Sequence, residues 1–209
     1  MKMDAPPFPH DKIVQADDLE AYKAAMEKEG GDLISRLTTQ RYEFGWTALH
    51  FIAGNNAVRI LDWILGEVPG TVSGGDDKDL RNAYMKLLTT KSSDSEIPLH
   101  LAAQEGHVEI IEKLLSVLDD KFPDQIGRIQ CGNKNDDGST PLLVAVEHVG
   151  GKSSDRVEKV LELLIVKGGS NVAQKDSSGM DVWSTAKLMT NRGKEIEDLL
   201  KASQQRRGS

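Results

Sequence analysis

Ile97-Pro98-Leu99-His100-Leu101-Ala102-Ala103-Gln104-Glu105-Gly106-His107-Val108-Glu109-Ile110-Ile111-Glu112-Lys113-Leu114-Leu115 decides the fold. Pro98 stands where a helix begins, a position at which its missing N–H removes no intrahelical bond. The small pair Ala102-Ala103 lets a neighbouring helix come close. Gly106 takes a left-handed backbone and ends that short helix. From there apolar residues fall at 108, 110, 111, 114 and 115, a helical stripe. The stretch therefore reads as two short antiparallel helices sharing one apolar face. One such pair cannot bury that face alone, so copies of it must stack.

Copies lie on both sides. Upstream is Gly45-Trp46-Thr47-Ala48-Leu49-His50-Phe51-Ile52-Ala53, and downstream is Gly138-Ser139-Thr140-Pro141-Leu142-Leu143-Val144-Ala145. A worn fourth copy begins at Asp176-Ser177-Ser178-Gly179-Met180-Asp181-Val182-Trp183. Thr140 supplies a capping hydroxyl ahead of Pro141, and Thr47 does the same ahead of Ala48. Asn56 holds the slot of Gly106, and Asn is the next best residue for a left-handed backbone. From Leu49 to Leu99 to Leu142 to Trp183 the steps are 50, 43 and 41 residues.

The pattern resembles the ankyrin repeat, almost position for position over residues 97–115. The family's period is about 33 residues, so the longer steps imply insertions at 69–95 and 118–133. The loop Gly150 to Ser154 splits the third copy, and the fourth has lost its Thr-Pro pair and histidine. The resemblance implies an all-α solenoid of about five helix-pair units, end caps included. The expected organisation is a flexible segment over 1–16, then one ankyrin-repeat domain over 17–203. Within it 17–44 form an N-terminal cap, 45–95 and 96–134 are repeats with insertions, 135–175 is a repeat and 176–203 a C-terminal cap. Residues 204–209 are expected to be a flexible tail. In the first insertion, Leu80 to Leu88 reads as an amphipathic helix packing near Trp63. In the second, a turn of helix is expected around Phe122 to Ile129.

Composition narrows the function. Net charge is −7, from 26 basic and 33 acidic residues. That balance disfavours phosphate backbones, so nucleic acid is not an expected partner. No apolar run is long enough to cross a bilayer. A single cysteine, Cys131, leaves no internal disulfide to form, and the N-terminal residues lack a signal-peptide core. An intracellular site, cytoplasm or nucleus, is the expectation, with delivery into a host cell if the source is bacterial.

No cofactor, metal site or catalytic set is expected. Gly150-Gly151-Lys152-Ser153 lacks the leading glycine of a phosphate loop, since Val146 stands there. The five histidines and Cys131 show no zinc spacing. His50 and His100 occupy equivalent repeat positions, where the resemblance implies a hydrogen bond to neighbouring backbone. The acidic loops at Asp76 to Asp79 and Asp119-Asp120 lack the alternation of a calcium loop.

What remains is a non-catalytic module, adaptor or scaffold, acting as a monomer on another protein. The alternative is an inhibitory or regulatory subunit that blocks or localises an enzyme. The resemblance implies a concave surface of hairpin tips and first helices. Its variable positions fall on Glu43, Phe44, Trp46 and Asn55, then Glu96, Gln104 and Glu105, then Asp136, Ser139, Glu147 and His148, and last Met180. Tyr42 joins Phe44 and Trp46 in an aromatic cluster, a favoured kind of interface anchor. The rest of the row is largely acidic, so the partner is expected to bring an apolar group and basic residues.

Overall fold

The computed structural model describes residues 11–39, 43–72, 77–117, 126–148 and 151–208. Every element among them is helical. The chain divides into two compact units, one up to Pro98 and one from Leu99.

The first unit opens with α1 (Asp11–Gln15), α2 (Leu19–Glu29) and α3 (Leu33–Thr38). Asp18 and Asp32 cap α2 and α3 by accepting from the Ala21 and Ser35 amides at 3.1 and 2.7 Å. Such caps satisfy N–H groups that the helix itself cannot. Tyr22, Met26, Ile34 and Leu37 are buried. The repeat pair follows as α4 (Ala48–Gly54) and α5 (Val58–Thr71), with Asn56 left-handed between them at φ +57°.

The segment expected to be flexible over 1–16 is helical from Asp11 to Gln15. Val14 is buried, and the next turn has a fixed task. The Asp17 carboxylate accepts from the Arg59 and Ile60 amides at 2.9 and 3.0 Å. Ala57 provides α5 with no side-chain cap of its own, so Asp17 caps that helix from a distance.

The first insertion carries α6 (Asp77–Thr89), which packs on α3 and α5. Its Tyr84, Leu87 and Leu88 are buried, and the Tyr84 hydroxyl donates to the Leu65 carbonyl at 2.7 Å. Trp63 turns instead to Tyr22, edge to face at 5.9 Å between ring centroids.

The second unit holds α7 (Pro98–Glu105), α8 (Val108–Ser116), α9 (Ile126–Gly132), α10 (Pro141–Glu147), α11 (Ser154–Glu162), α12 (Val182–Leu188) and α13 (Gly193–Gly208). Gly106 is left-handed at φ +71° between α7 and α8. Ile110, Ile111, Leu114 and Leu115 form the α8 stripe, all at most 1% exposed. Each such side chain contributes about 1.5–3 kcal/mol on leaving water. Leu99 and Leu142 are wholly buried, as is Leu49 in the first unit. In the worn copy Trp183 is only half-buried, and Val182 and Ala186 fill the core beside it.

Residues 118–125 of the second insertion lie outside the described residues. After them α9 buries Gln130 and Cys131. A single π turn, Leu163–Lys167, continues α11, and Gly168 follows it against Cys131. A Cβ on Gly168 would stand 2.4 Å from the Cys131 sulfur and 2.9 Å from the Leu164 carbonyl oxygen.

The last helix runs to Gly208, past residue 203, where the C-terminal cap was expected to end. Arg206 reaches Glu158 and Glu162 on α11 at 2.8 and 3.2 Å. Arg207 donates to the Ser170 carbonyl at 2.8 Å. These contacts order the segment that was expected to be a flexible tail. Arg192 grips Glu195 at 2.7 and 2.9 Å and donates to the Lys152 carbonyl at 2.7 Å. Hydrogen bonds from Arg192, then Ser154, hold the Glu195 carboxyl down to about 2.

Candidate functional site

The turns that precede the first helices share one construction. The Ser92 amide donates to the Glu96 carbonyl, and Ser95 donates back to Ser92. Asn135 and Ser139 repeat this with Gly138, and Asp176 and Met180 repeat it with Gly179. In each turn the opening side chain accepts from the closing amide: Ser92 from Glu96 at 3.1 Å, Asn135 from Ser139 at 2.8 Å, Asp176 from Met180 at 2.7 Å. The residue before the close is left-handed, Ser95 at +59°, Gly138 at +77° and Gly179 at +86°. Gly138 has no room for a side chain, because a Cβ would meet the Ser177 amide nitrogen at 2.7 Å. Gly45, at +65°, holds the same place ahead of Trp46.

Each turn leaves two residues at its tip. They are Ser93 and Asp94, Asp136 and Asp137, and Ser177 and Ser178, all exposed. Tips are tied to their neighbours within each unit. The Ser93 amide donates to the Phe44 carbonyl at 2.7 Å, and the Ser177 amide to the Asp137 carbonyl at 2.8 Å.

The histidines brace the turns from behind. In His50, Nδ1 accepts from the Thr47 amide at 3.2 Å and faces the Thr47 hydroxyl at 2.8 Å. That fixes the proton on Nε2, which donates to the Glu96 carbonyl at 2.9 Å. His100 makes the matching contact to the Ser139 carbonyl at 3.1 Å. His50 is fully buried, and desolvation lowers its pKa to about 4. Where Leu143 replaces the histidine, Thr140 caps the helix by itself through the Leu143 amide.

The positions expected to meet a partner divide on this frame. Tyr42 and the Glu43 side chain lie outside the described residues. Phe44 is 61% exposed, with a left-handed backbone at φ +63°, uncommon for a bulky residue. Its ring lies against Trp46, 6.2 Å between centroids at 48°. Trp46 is half-buried, and its indole N–H makes no hydrogen bond among the described residues. Glu96 and Met180 close their turns half-buried. Ser139, also a closing residue, is 3% exposed, because its amide and carbonyl serve Asn135 and His100. A partner cannot reach its side chain.

Asn55 and His148 finish helices. The Asn55 amide group donates to the Phe51 carbonyl at 2.9 Å, and His148 Nδ1 lies 3.0 Å from the Val144 carbonyl. Gln104 is half-buried and Glu105 exposed, joined to each other at 3.4 Å. Asp136 and Glu147 are exposed. Partial desolvation raises the Glu147 carboxyl; His148 opposes the rise, and Asp176 and Asp137 add to it. Asp94 in the first unit and Asp137 in the second are further exposed carboxylates at turn tips, absent from the positions expected to meet a partner. The 43-residue step from Ser92 to Asn135, equal to that from Leu99 to Leu142, is the signal that could have located these tips.

Other chemistry is sparse. Burial pushes the Cys131 thiol up to about 11, above any useful nucleophile. Among the described residues no three His, Cys, Asp or Glu side chains are grouped to hold a metal ion. No helix there is long and apolar enough to cross a membrane.

Paired helices joined by braced, exposed turns define a helical-repeat recognition protein. A family model for ankyrin repeats, in three copies, matches residues 72–176, half of the chain. The chain belongs to the ankyrin-repeat family, whose repeats are protein–protein interaction modules. The match takes in the turns at 92–96 and 135–139 and ends at Asp176. The copy at Gly45 to Ala53 rests on its own His50 and Asn56 geometry. Comparison with curated proteins finds no match.

Proposed function

We propose that the chain is a non-catalytic adaptor that captures a partner protein through its turns and first helices. The first unit offers an apolar anchor, Phe44 against Trp46. The second unit offers an acidic field, Asp136 and Asp137 with Glu147. The matching partner carries an apolar side chain and a run of Lys or Arg.

The observation that carries this reading is Phe44. A large apolar side chain 61% exposed on a left-handed backbone is unfavourable for the free protein, and such outliers gather at binding sites. The ordered turn beneath it, tied through Ser93, limits the entropy lost on binding. The Glu147 carboxyl, raised first by partial desolvation and then by Asp176 and Asp137, supports the basic half of the partner, since an incoming cation favours its charged form.

The test is affinity capture with wild type, Phe44→Ala and Asp136→Lys/Asp137→Lys in parallel. These residues are exposed, so thermal melting should stay within a few degrees of wild type. Both variants are expected to lose the same captured protein, and the aspartate variant to lose the salt dependence of capture. An unchanged set of captured proteins in both variants overturns the assignment.

A further inference from the structure

Asp17 is left-handed at φ +49°. Asn56 and Gly106 hold that backbone where the two helices of a repeat meet, at +57° and +71°. A shift of 39 residues carries Asp17 onto Asn56, and the neighbours follow. The Asp18 amide donates to the Ile13 carbonyl at 2.9 Å, as the Ala57 amide does to Ile52 at 3.2 Å and the His107 amide to Ala102 at 2.9 Å. The Asp18, Ala57 and His107 carbonyls then accept from the Tyr22, Leu61 and Ile111 amides, each at 3.0 Å. Tyr22, Leu61 and Ile111 are all 0% exposed. Packing repeats the likeness. First helix α1 lies on α4 and second helix α2 on α5, as α12 lies on α10 and α13 on α11. No glycine, Thr-Pro pair or histidine marks residues 11–29, so the sequence hides the unit.

We propose that α1 and α2 are a further repeat of the first unit, and that the exposed end of its first helix, Gln15 and Ala16, extends the partner-binding surface. The second half rests on the function proposed above. The same shift places Gln15 and Ala16 on Gly54 and Asn55, and Asn55 is among the positions expected to meet a partner. Both residues are exposed. Lys12 and Asp18, also exposed, flank them with opposite charges, so the contact is one of shape. Ala16 is the smallest side chain at its place in the repeat, where Asn55 and Glu105 stand in the others, and it leaves room for a bulky one. The occupant is the partner segment that brings an apolar residue to Phe44, continued by a second large side chain over Ala16.

Two experiments on the full chain test the two halves. Cys131 is buried, so introduced cysteines are the reactive ones. In Ala16→Cys/Asn55→Cys the thiols end neighbouring packed helices whose axes lie about 8–10 Å apart, and a bismaleimide of that span should join them within one chain. Lys28→Cys/Asn55→Cys moves one thiol some ten residues along α2, about 15 Å, and should not be joined. Failure to join the first pair, or equal joining of both, overturns the repeat. In the capture experiment, Ala16→Arg should hold the protein that Phe44→Ala loses about tenfold more weakly than wild type does, while Ala16→Ser should hold it fully. Unweakened capture by Ala16→Arg overturns the added surface and leaves the repeat standing. Capture retained by Phe44→Ala as well means that the turn reading itself has failed, and Gln15 and Ala16 lose their role with it.

Discussion

Lowering the pH from 7 to 5 should destabilise the protein by about 2 kcal/mol through His50 alone. Its ring is 0% exposed. Both nitrogens are committed to the neutral form, Nδ1 accepting from Thr47 and Nε2–H donating to Glu96. Protonation would set an Nδ1–H against the Thr47 N–H. Burial therefore lowers the pKa from 6.5 to about 4. The unfolded chain binds a proton through this window that the folded chain refuses. Stability is full above pH 6.5, falls as pH drops toward 4, and levels off below. At 1.36 kcal/mol per unit the whole window is worth about 3 kcal/mol, most of it gone by pH 5. Urea denaturation of wild type and His50→Gln at pH 7 and pH 5 isolates the effect, because the variant keeps a side-chain donor and loses the titration. The gap between the two proteins should shrink by about 2 kcal/mol at the lower pH. A proton NMR titration of the His50 ring should give a midpoint near the same low value. A midpoint above 6, or equal acid sensitivity in both proteins, refutes the reasoning.

Two further outcomes follow from single contacts. Asp17→Ala should lower stability by about 1–2 kcal/mol in urea, by uncapping α5, while Asp17→Asn should keep more than half of that. Cys131 should resist Ellman's reagent at pH 8 in the native protein and react fully in denaturant, because burial pushes its thiol up to about 11; native labelling at the free-thiol rate would contradict its packing against Gly168.

The repeat units were legible because their determinants are local and periodic. The α8 stripe, the Thr140 cap and the left-handed pair Asn56 and Gly106 each depend on residues a few positions apart. Tasks that join distant residues were not legible. Asp17 serves amides some forty positions along the chain, and nothing near residue 17 announces it. Arg206 and Arg207 read as a polar end until their partners on α11 and at Ser170 are placed. Within the site, variable family positions identified the exposed Phe44, Glu105, Asp136 and Glu147. They did not separate these from Ser139, which the turn buries, or from the half-buried Asn55, which bonds the carbonyl four residues back.

The contact between Gly168 and Cys131 couples two positions that are far apart in sequence. With sulfur at 131, residue 168 has no space for even a methyl group. Position 131 can shrink to alanine at the expense of a small void, but that alone does not free 168, because a Cβ there still meets the Leu164 carbonyl oxygen at 2.9 Å. Glycine at 168 is therefore held by two neighbours at once, a side chain from a distant helix and a carbonyl of the π turn that precedes it, so loss of the cysteine should leave the glycine in place.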